Sequence, residues 1–288
     1  EEHRTTDVVR RELDALNIPM LPLPLPTGAL AQLGTGKAPV IALRCDLDAL
    51  PVQEETGLPY ASETPGKMHA CGHDFHTTSL LGASMLLKER ENELRGTVRL
   101  IFQPAEEINA GAVSILATGM IDDVQEFFGL HTDPGIEAGT LGIREGAIMA
   151  SPDRFSIEIQ GKGGHAAQPQ DCLDPIPCAA AVILALQQVA ARRISPFSPS
   201  VLSICQLESG TAWNIIPAQV RMNGTLRTMS DSDRALGRQV LQDTVESVAR
   251  AYGCSGTVQY IPQSRPLINH PQLASLAEET ARALGIPV

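Results

Sequence analysis

The chain has 288 residues, and at roughly 150 residues per domain that length favours two domains. Its composition, 43% hydrophobic and 19% charged, is that of a folded protein, whereas a disordered chain would be poorer in apolar residues. With 22 basic against 33 acidic residues, a net charge of −11 and only 3% aromatics, the sequence argues against a nucleic-acid partner, which needs a basic face and stacking rings, and against an anionic membrane surface. No apolar run is expected to approach the ~20 residues of a membrane helix.

The pattern of Val8, Val9, Leu13 and Leu16 predicts a helix over 3–16. A proline-rich stretch, 19–26, breaks it, and strands are expected near 28–34 and 39–45. The second of these is a continuous apolar run, as in a strand covered on both faces. A polar loop, 51–68, leads to a histidine-rich turn and a helix over about 75–90. A strand at 97–103, a helix at 110–119 and a strand at 126–131 follow. Strands alternating with helices predict an α/β domain: a mainly parallel, mixed sheet sandwiched by helices. After Ala150 the pattern changes. Residues 153–160 alternate, Asp174-Pro175 caps a helix to about 193, and strands near 200–208 and 217–227 follow. Ser230 then caps a helix over 231–252, and a last strand is expected at 256–261. That β-α-β-β-α-β order is the ferredoxin-like unit. The expected division is therefore 1–151 for the first part of one domain, 152–262 for an inserted α+β domain, and 263–288, with a helix over 271–284, for the first domain resumed.

The six cysteines (45, 71, 172, 178, 205 and 254) are dispersed and mostly lie in apolar stretches. This suggests buried thiols in a reducing compartment, the cytoplasm. No signal peptide opens the sequence, although Glu1-Glu2-His3-Arg4 already reads as the inside of a helix.

Four segments carry chemistry. In His69-Ala-Cys71-Gly-His73-Asp74-Phe-His76, three of seven histidines, a cysteine and an aspartate fall together. Thiolate and imidazole are zinc-type ligands. A nucleophilic Cys71 is the alternative reading. Glu106-Glu107 closes a buried strand, where open α/β sheets place ligands. One of the two can bind metal while the other acts as general base. His131 follows a third strand. Asp46 and Asp48 follow a fourth, where a carboxylate can hold a ligand imidazole by its second nitrogen.

These segments appear in the order Arg-x-Asp-x-Asp-Ala-Leu-Pro, His-Ala-Cys-Gly-His-Asp-x-His, Gln-Pro-Ala-Glu-Glu and Gly-Leu-His. They are followed by Gly161-Lys-Gly-Gly-His165-Ala-Ala, Trp213-Asn214-Ile-Ile-Pro217 and Gly224-Thr-Leu-Arg227-Thr. The chain resembles the amidohydrolase branch of the aminoacylase/carboxypeptidase G metallopeptidases, which includes hippurate hydrolases and indole-acetyl-amino-acid hydrolases. The resemblance implies a di-metal catalytic domain interrupted by a ferredoxin-like lid that mediates homodimerisation. It also implies two divalent ions, zinc or manganese, with cobalt or nickel as further options, and an N-acyl amino acid as the small-molecule substrate. By motif, Cys71 would bridge the ions, with His73, Glu107 and His131 as further ligands. Glu106 would be the general base, with Asp48 behind the ligands. His165, Asn214 and Arg227 would bind substrate, His165 in the site of the other subunit. The family's last histidine ligand belongs to a segment beyond residue 288. The expectation is that the chain continues, because its final helix should feed another strand. A catalytically silent di-metal binding protein and a cysteine amidase are the rival readings.

Overall fold

The computed structural model describes residues 2–261 and 264–288. The chain forms two compact units, Glu1–Gly135 and Ile136–Val288. The expected boundary at 262/263 lies outside the described residues.

The first unit contains α1 (His3–Ala15), β1 (Met20–Leu21), β2 (Ala29–Gly34), β3 (Val40–Asp46), α2 (His73–Glu89), β4 (Thr97–Gln103), α3 (Gly111–Leu116) and β5 (Glu126–Gly129). Its sheet runs β1-β2-β4-β3-β5. β3 is parallel to both β4 and β5, whereas β1–β2 and β2–β4 are antiparallel. The sheet is therefore mixed, with a parallel centre. Every residue of β4 is buried, including Arg99, whose guanidinium donates to the Met120 carbonyl and to Asp123. Val98, Leu100 and Phe102 face one cluster with Val9 and Leu13 of α1 and Leu80 of α2, and Ile101 faces another with Ile115 of α3 and Ile121. Register aligns Asp46 with Gln103 and Arg44 with Gly129, so the three parallel strands end together. β1 escapes a periodicity argument because two residues have no period.

The second unit contains β6 (Gly146–Met149), β7 (Ser151–Gln160), β8 (Gly164–His165), α4 (Pro175–Gln188), β9 (Ser200–Ser209), β10 (Ile215–Ile216), β11 (Gln219–Thr228), α5 (Asp231–Ala251), β12 (Ser255–Ile261), β13 (Leu267–Asn269) and α6 (Pro271–Ala283). The antiparallel sheet β12-β7-β11-β9, with α4 and α5 on one face, has the ferredoxin-like arrangement. The caps form as the sequence predicts: Asp174 accepts the Ile176 N–H at 3.0 Å, and Ser230 accepts the Asp233 N–H at 3.1 Å. The short pairs β8–β10 and β6–β13 were not legible in the sequence.

One expectation needs correction. The 19 residues Pro175–Arg193 are long and apolar enough to cross a membrane by length and composition. Their apolarity has a local cause: Cys178, Ala179, Val182 and Leu186 pack into the core of this unit beside Ile157, Met222 and Leu241.

The same unit buries a charge. Asp153 is fully buried and accepts from Arg234 Nε and Nη2, each at 2.7 Å, and from Arg238. Burial opposes its ionisation, but the two arginines outweigh burial and hold its carboxyl below the ordinary range. Asp153→Asn should cost about 3–5 kcal/mol, because it removes the buried carboxylate that two guanidinium groups share. A depressed carboxyl contributes stability that is present above the unfolded-state pKa and lost as pH falls through the folded-state value. Urea unfolding should therefore show a lower midpoint for the variant at neutral pH, and a smaller wild-type advantage in acid. An unchanged midpoint would contradict the triad's role.

Candidate active site

Three parallel strand ends and the start of α2 supply the site. The chain leaves β3 through Asp46 and Asp48, β4 through Glu106 and Glu107, and β5 through His131. Gly72, at φ 83°, turns the backbone directly into α2, so His73 is the first helical residue. The sequence pattern places this start two residues later. After β4, Ala105 takes φ 51°, a region non-glycine residues rarely enter. Its carbonyl accepts the N–H groups of Ala110 and Gly111, each at 3.2 Å, and a Cβ at Gly111 would overlap the Pro104 carbonyl. This tight turn directs the two glutamates.

The side chains converge. Cys71 Sγ lies 3.4 Å from His131 Nε2. His73 is fully buried and its Nδ1–H donates to Asp48 Oδ1 at 3.2 Å, while Asp48 Oδ2 accepts the Glu107 backbone N–H at 2.9 Å. His73 Nε2 stands 3.9 Å from Glu106 Oε2, 3.9 Å from Glu107 Oε1 and 3.7 Å from Asp46 Oδ2. Cys71, His73 and His131 form one group close enough to hold an ion, and His73, Glu106 and Glu107 form another.

Electrostatics fit a cation here. Four carboxylates, those of Asp46, Asp48, Glu106 and Glu107, surround one imidazole. Burial would depress His73, but the Asp48 hydrogen bond and then Asp46 outweigh it and raise its pKa. Burial and then the Glu107 carboxylate raise Glu106, while Arg44 opposes them. Burial, followed by Glu107 and Glu106, pushes the Cys71 thiol up to about 11. That direction is opposite to an activated nucleophile and weakens the cysteine-amidase reading, although a histidine stands beside the thiol. His73 Nε2 and Glu107 Oε1 are buried atoms without a hydrogen-bond partner. Unpaired buried polar atoms are costly, and a divalent ion would satisfy both. The donor set of thiolate, imidazole and carboxylate suits zinc-type ions.

The structure also brings in residues the motif reading left aside. Asp46, fully buried, accepts from Arg44 Nη1 at 2.8 Å and from His76 Nδ1 at 2.6 Å. The spacing of Asp46 and Asp48 signals such a pair, but sequence cannot tell which imidazole each one meets. In the second unit, β8 pairs with β10, which sets His165 opposite Ile215, and the Asn214 carbonyl accepts the Ala166 N–H at 3.0 Å. His165 and Asn214 thus share one short arm. Arg227 lies apart from that arm, exposed near the end of β11 between Pro152 and Val201.

The model of peptidase family M20/M25/M40 matches residues 42–288. The chain belongs to that family. An N-acetylcysteine deacetylase of Bacillus subtilis is 45% identical over 287 residues, covering 99% of this chain and 76% of the relative. An N-acyl-L-amino acid amidohydrolase of Geobacillus stearothermophilus is 38% identical, covering 94% and 74%. Among solved structures, a dinuclear metal-binding M20 peptidase of Bacillus subtilis superposes with a TM-score of 0.88 at 42% identity, over all of this chain and 75% of that one. These relatives place the M20 chain in the amidohydrolase branch, as a hydrolase acting on amide bonds.

Proposed function

We propose that the protein hydrolyses N-acyl amino acids to a carboxylic acid and a free amino acid, using two divalent ions, zinc or manganese ahead of cobalt or nickel. The observation that carries this reading is the convergence of Cys71, His73, Glu107 and His131 around buried atoms that lack partners. Cys71, His73, Glu107 and His131 would hold the ions. When bound, the ions supply Lewis acidity, lowering the pKa of water and polarising the scissile carbonyl.

Glu106 is the proton carrier. It stands beside Glu107 within reach of His73 Nε2, and its raised pKa suits a group that both takes and returns a proton. Its carboxylate accepts the proton of the attacking water and delivers it to the departing amine nitrogen. Asp48 orients the His73 ring and the Glu107 backbone. His165 and Asn214 on their arm, and Arg227, would hold the substrate's carbonyl and carboxylate. We place the protein in the cytoplasm, a setting that its six free cysteines support.

The division at 151 and 262 remains our reading of the domains. It is supported by the pairing of β13 with β6, which brings the chain beyond 262 back to the segment before 151. We further read the protein as a homodimer joined through 152–262, whose sheet ends in the edge strands β9 and β12. If His165 serves the partner's site, mixing His165→Ala with Glu106→Gln subunits creates one site with both defects and one with neither. Activity should then return although each parent is inactive. No recovery after confirmed subunit exchange would place His165 in its own site or outside the reaction. The function itself is tested by a hydrolysis screen of N-acetyl, N-benzoyl and longer N-acyl amino acids. Release of free amino acid supports it, and no turnover by metal-loaded protein across the series favours a binding protein.

A further inference from the structure

Thr132, one residue past His131, ties together three parts of the site with its three polar groups. Its N–H donates to His76 Nε2 at 2.8 Å, its carbonyl accepts from His131 Nδ1 at 2.7 Å, and its hydroxyl donates to the Cys71 carbonyl at 2.9 Å. Gly72 closes over the same side chain, so closely that a Cβ there would collide with Thr132 Oγ1. The contact with His131 has a direct geometric result. With Nδ1–H spent on the Thr132 carbonyl, Nε2 is the nitrogen left facing Cys71.

His76 is the fixed point behind this arrangement. It is 1% exposed, and its Nδ1–H is held by the fully buried Asp46, which is itself held by Arg44. Asp46, His73 and His76 lie close enough together to hold an ion. Both His76 nitrogens are already engaged, however, one on Asp46 and one on Thr132, so His76 has no lone pair to offer. Its geometry is that of an anchor. Among the described residues, Asp48 bonds a different set, the His73 ring and the backbone of Glu106 and Glu107, and shares no hydrogen-bonded partner with Thr132.

We propose that Thr132, seated on the His76–Asp46 pair, is a positioning residue that sets the placement of the metal ligands Cys71 and His131. This rests on reading Cys71 and His131 as metal ligands. Thr132 touches no substrate in this account; it acts through the two ligands whose spacing it fixes.

The test is calorimetric titration of metal-stripped, full-length protein with Zn²⁺ or Mn²⁺, for wild type, Thr132→Val, Thr132→Ser and Asp48→Asn, with folding checked by circular dichroism. Valine keeps the shape of threonine and removes only the hydroxyl. Thr132→Val should weaken metal binding by about 10–100-fold, the range typical of lost outer contacts. Thr132→Ser should restore it, which a purely space-filling role would not require. Asp48→Asn, which loosens His73 and the strand-end backbone instead, should weaken binding by a similar factor. Wild-type-like metal binding in Thr132→Val, or failure of serine to rescue, would each overturn the inference while leaving the metal reading intact. Wild-type protein that takes up no ion would overturn the metal reading and this inference with it.

Discussion

Glu106→Gln is expected to keep the fold and the metal content while losing nearly all turnover. The amide matches the carboxylate in shape but cannot accept the proton of the attacking water. A single general acid-base group is worth roughly 10²–10⁴-fold. Here one group serves twice, toward water and toward the leaving amine, so the loss should reach the upper end of that range or exceed it. The environment supports the assignment: burial and the Glu107 charge both raise Glu106 toward the pH at which it must release a proton again. Steady-state rates at matched metal occupancy decide the matter. Near-wild-type activity in the variant would remove Glu106 from the mechanism.

Cys71→Ser should act one step earlier, on the ions themselves. Without a cation the Cys71 thiol is pushed up to about 11 by burial and by Glu107 and Glu106, so its thiolate depends on positive charge being present. A serine hydroxyl is a far poorer anion at neutral pH and cannot replace it. Metal analysis after dialysis should find the ion content lowered, with the second equivalent lost first if the cysteine bridges. Activity should fall in proportion to metal. A variant that holds two ions normally yet fails to turn over would instead favour Cys71 as a nucleophile.

Much of this site was legible in the sequence because its residues come in dense local runs. Cys71 and His73 flank a glycine that has to bend, and Glu106-Glu107 follows a strand apolar enough to be buried on both faces. The sheet register then does what sequence spacing cannot, ending β3, β4 and β5 at one level so that runs some 60 positions apart meet, as Cys71 and His131 do. Less legible were the residues whose work is done by the backbone. Thr132 contributes an N–H and a carbonyl that any residue would carry, and only its hydroxyl and its fit against Gly72 mark it out. His76 stands in the histidine-rich run, yet only the placement of Asp46 and the Thr132 N–H shows that both its nitrogens are engaged. Short strands were lost for a simpler reason: β8 and β10 have two residues each, too few for alternation to register, although their pairing is what sets His165 and Asn214 on one arm. The apolar run 175–193 needed the fold as well, since composition alone does not distinguish a helix packed in a domain core from one that crosses a bilayer.

The central claim is metal-dependent cleavage of an N-acyl amino acid at the Cys71–His73–Glu107–His131 cluster. Its most direct test is release of free amino acid from an N-acetyl amino acid by chelator-treated protein, before and after addition of Mn²⁺, Co²⁺ or Zn²⁺, with metal content measured on the same samples. Activity should disappear with the ions and return as they are restored. Undiminished hydrolysis by metal-free protein would contradict it.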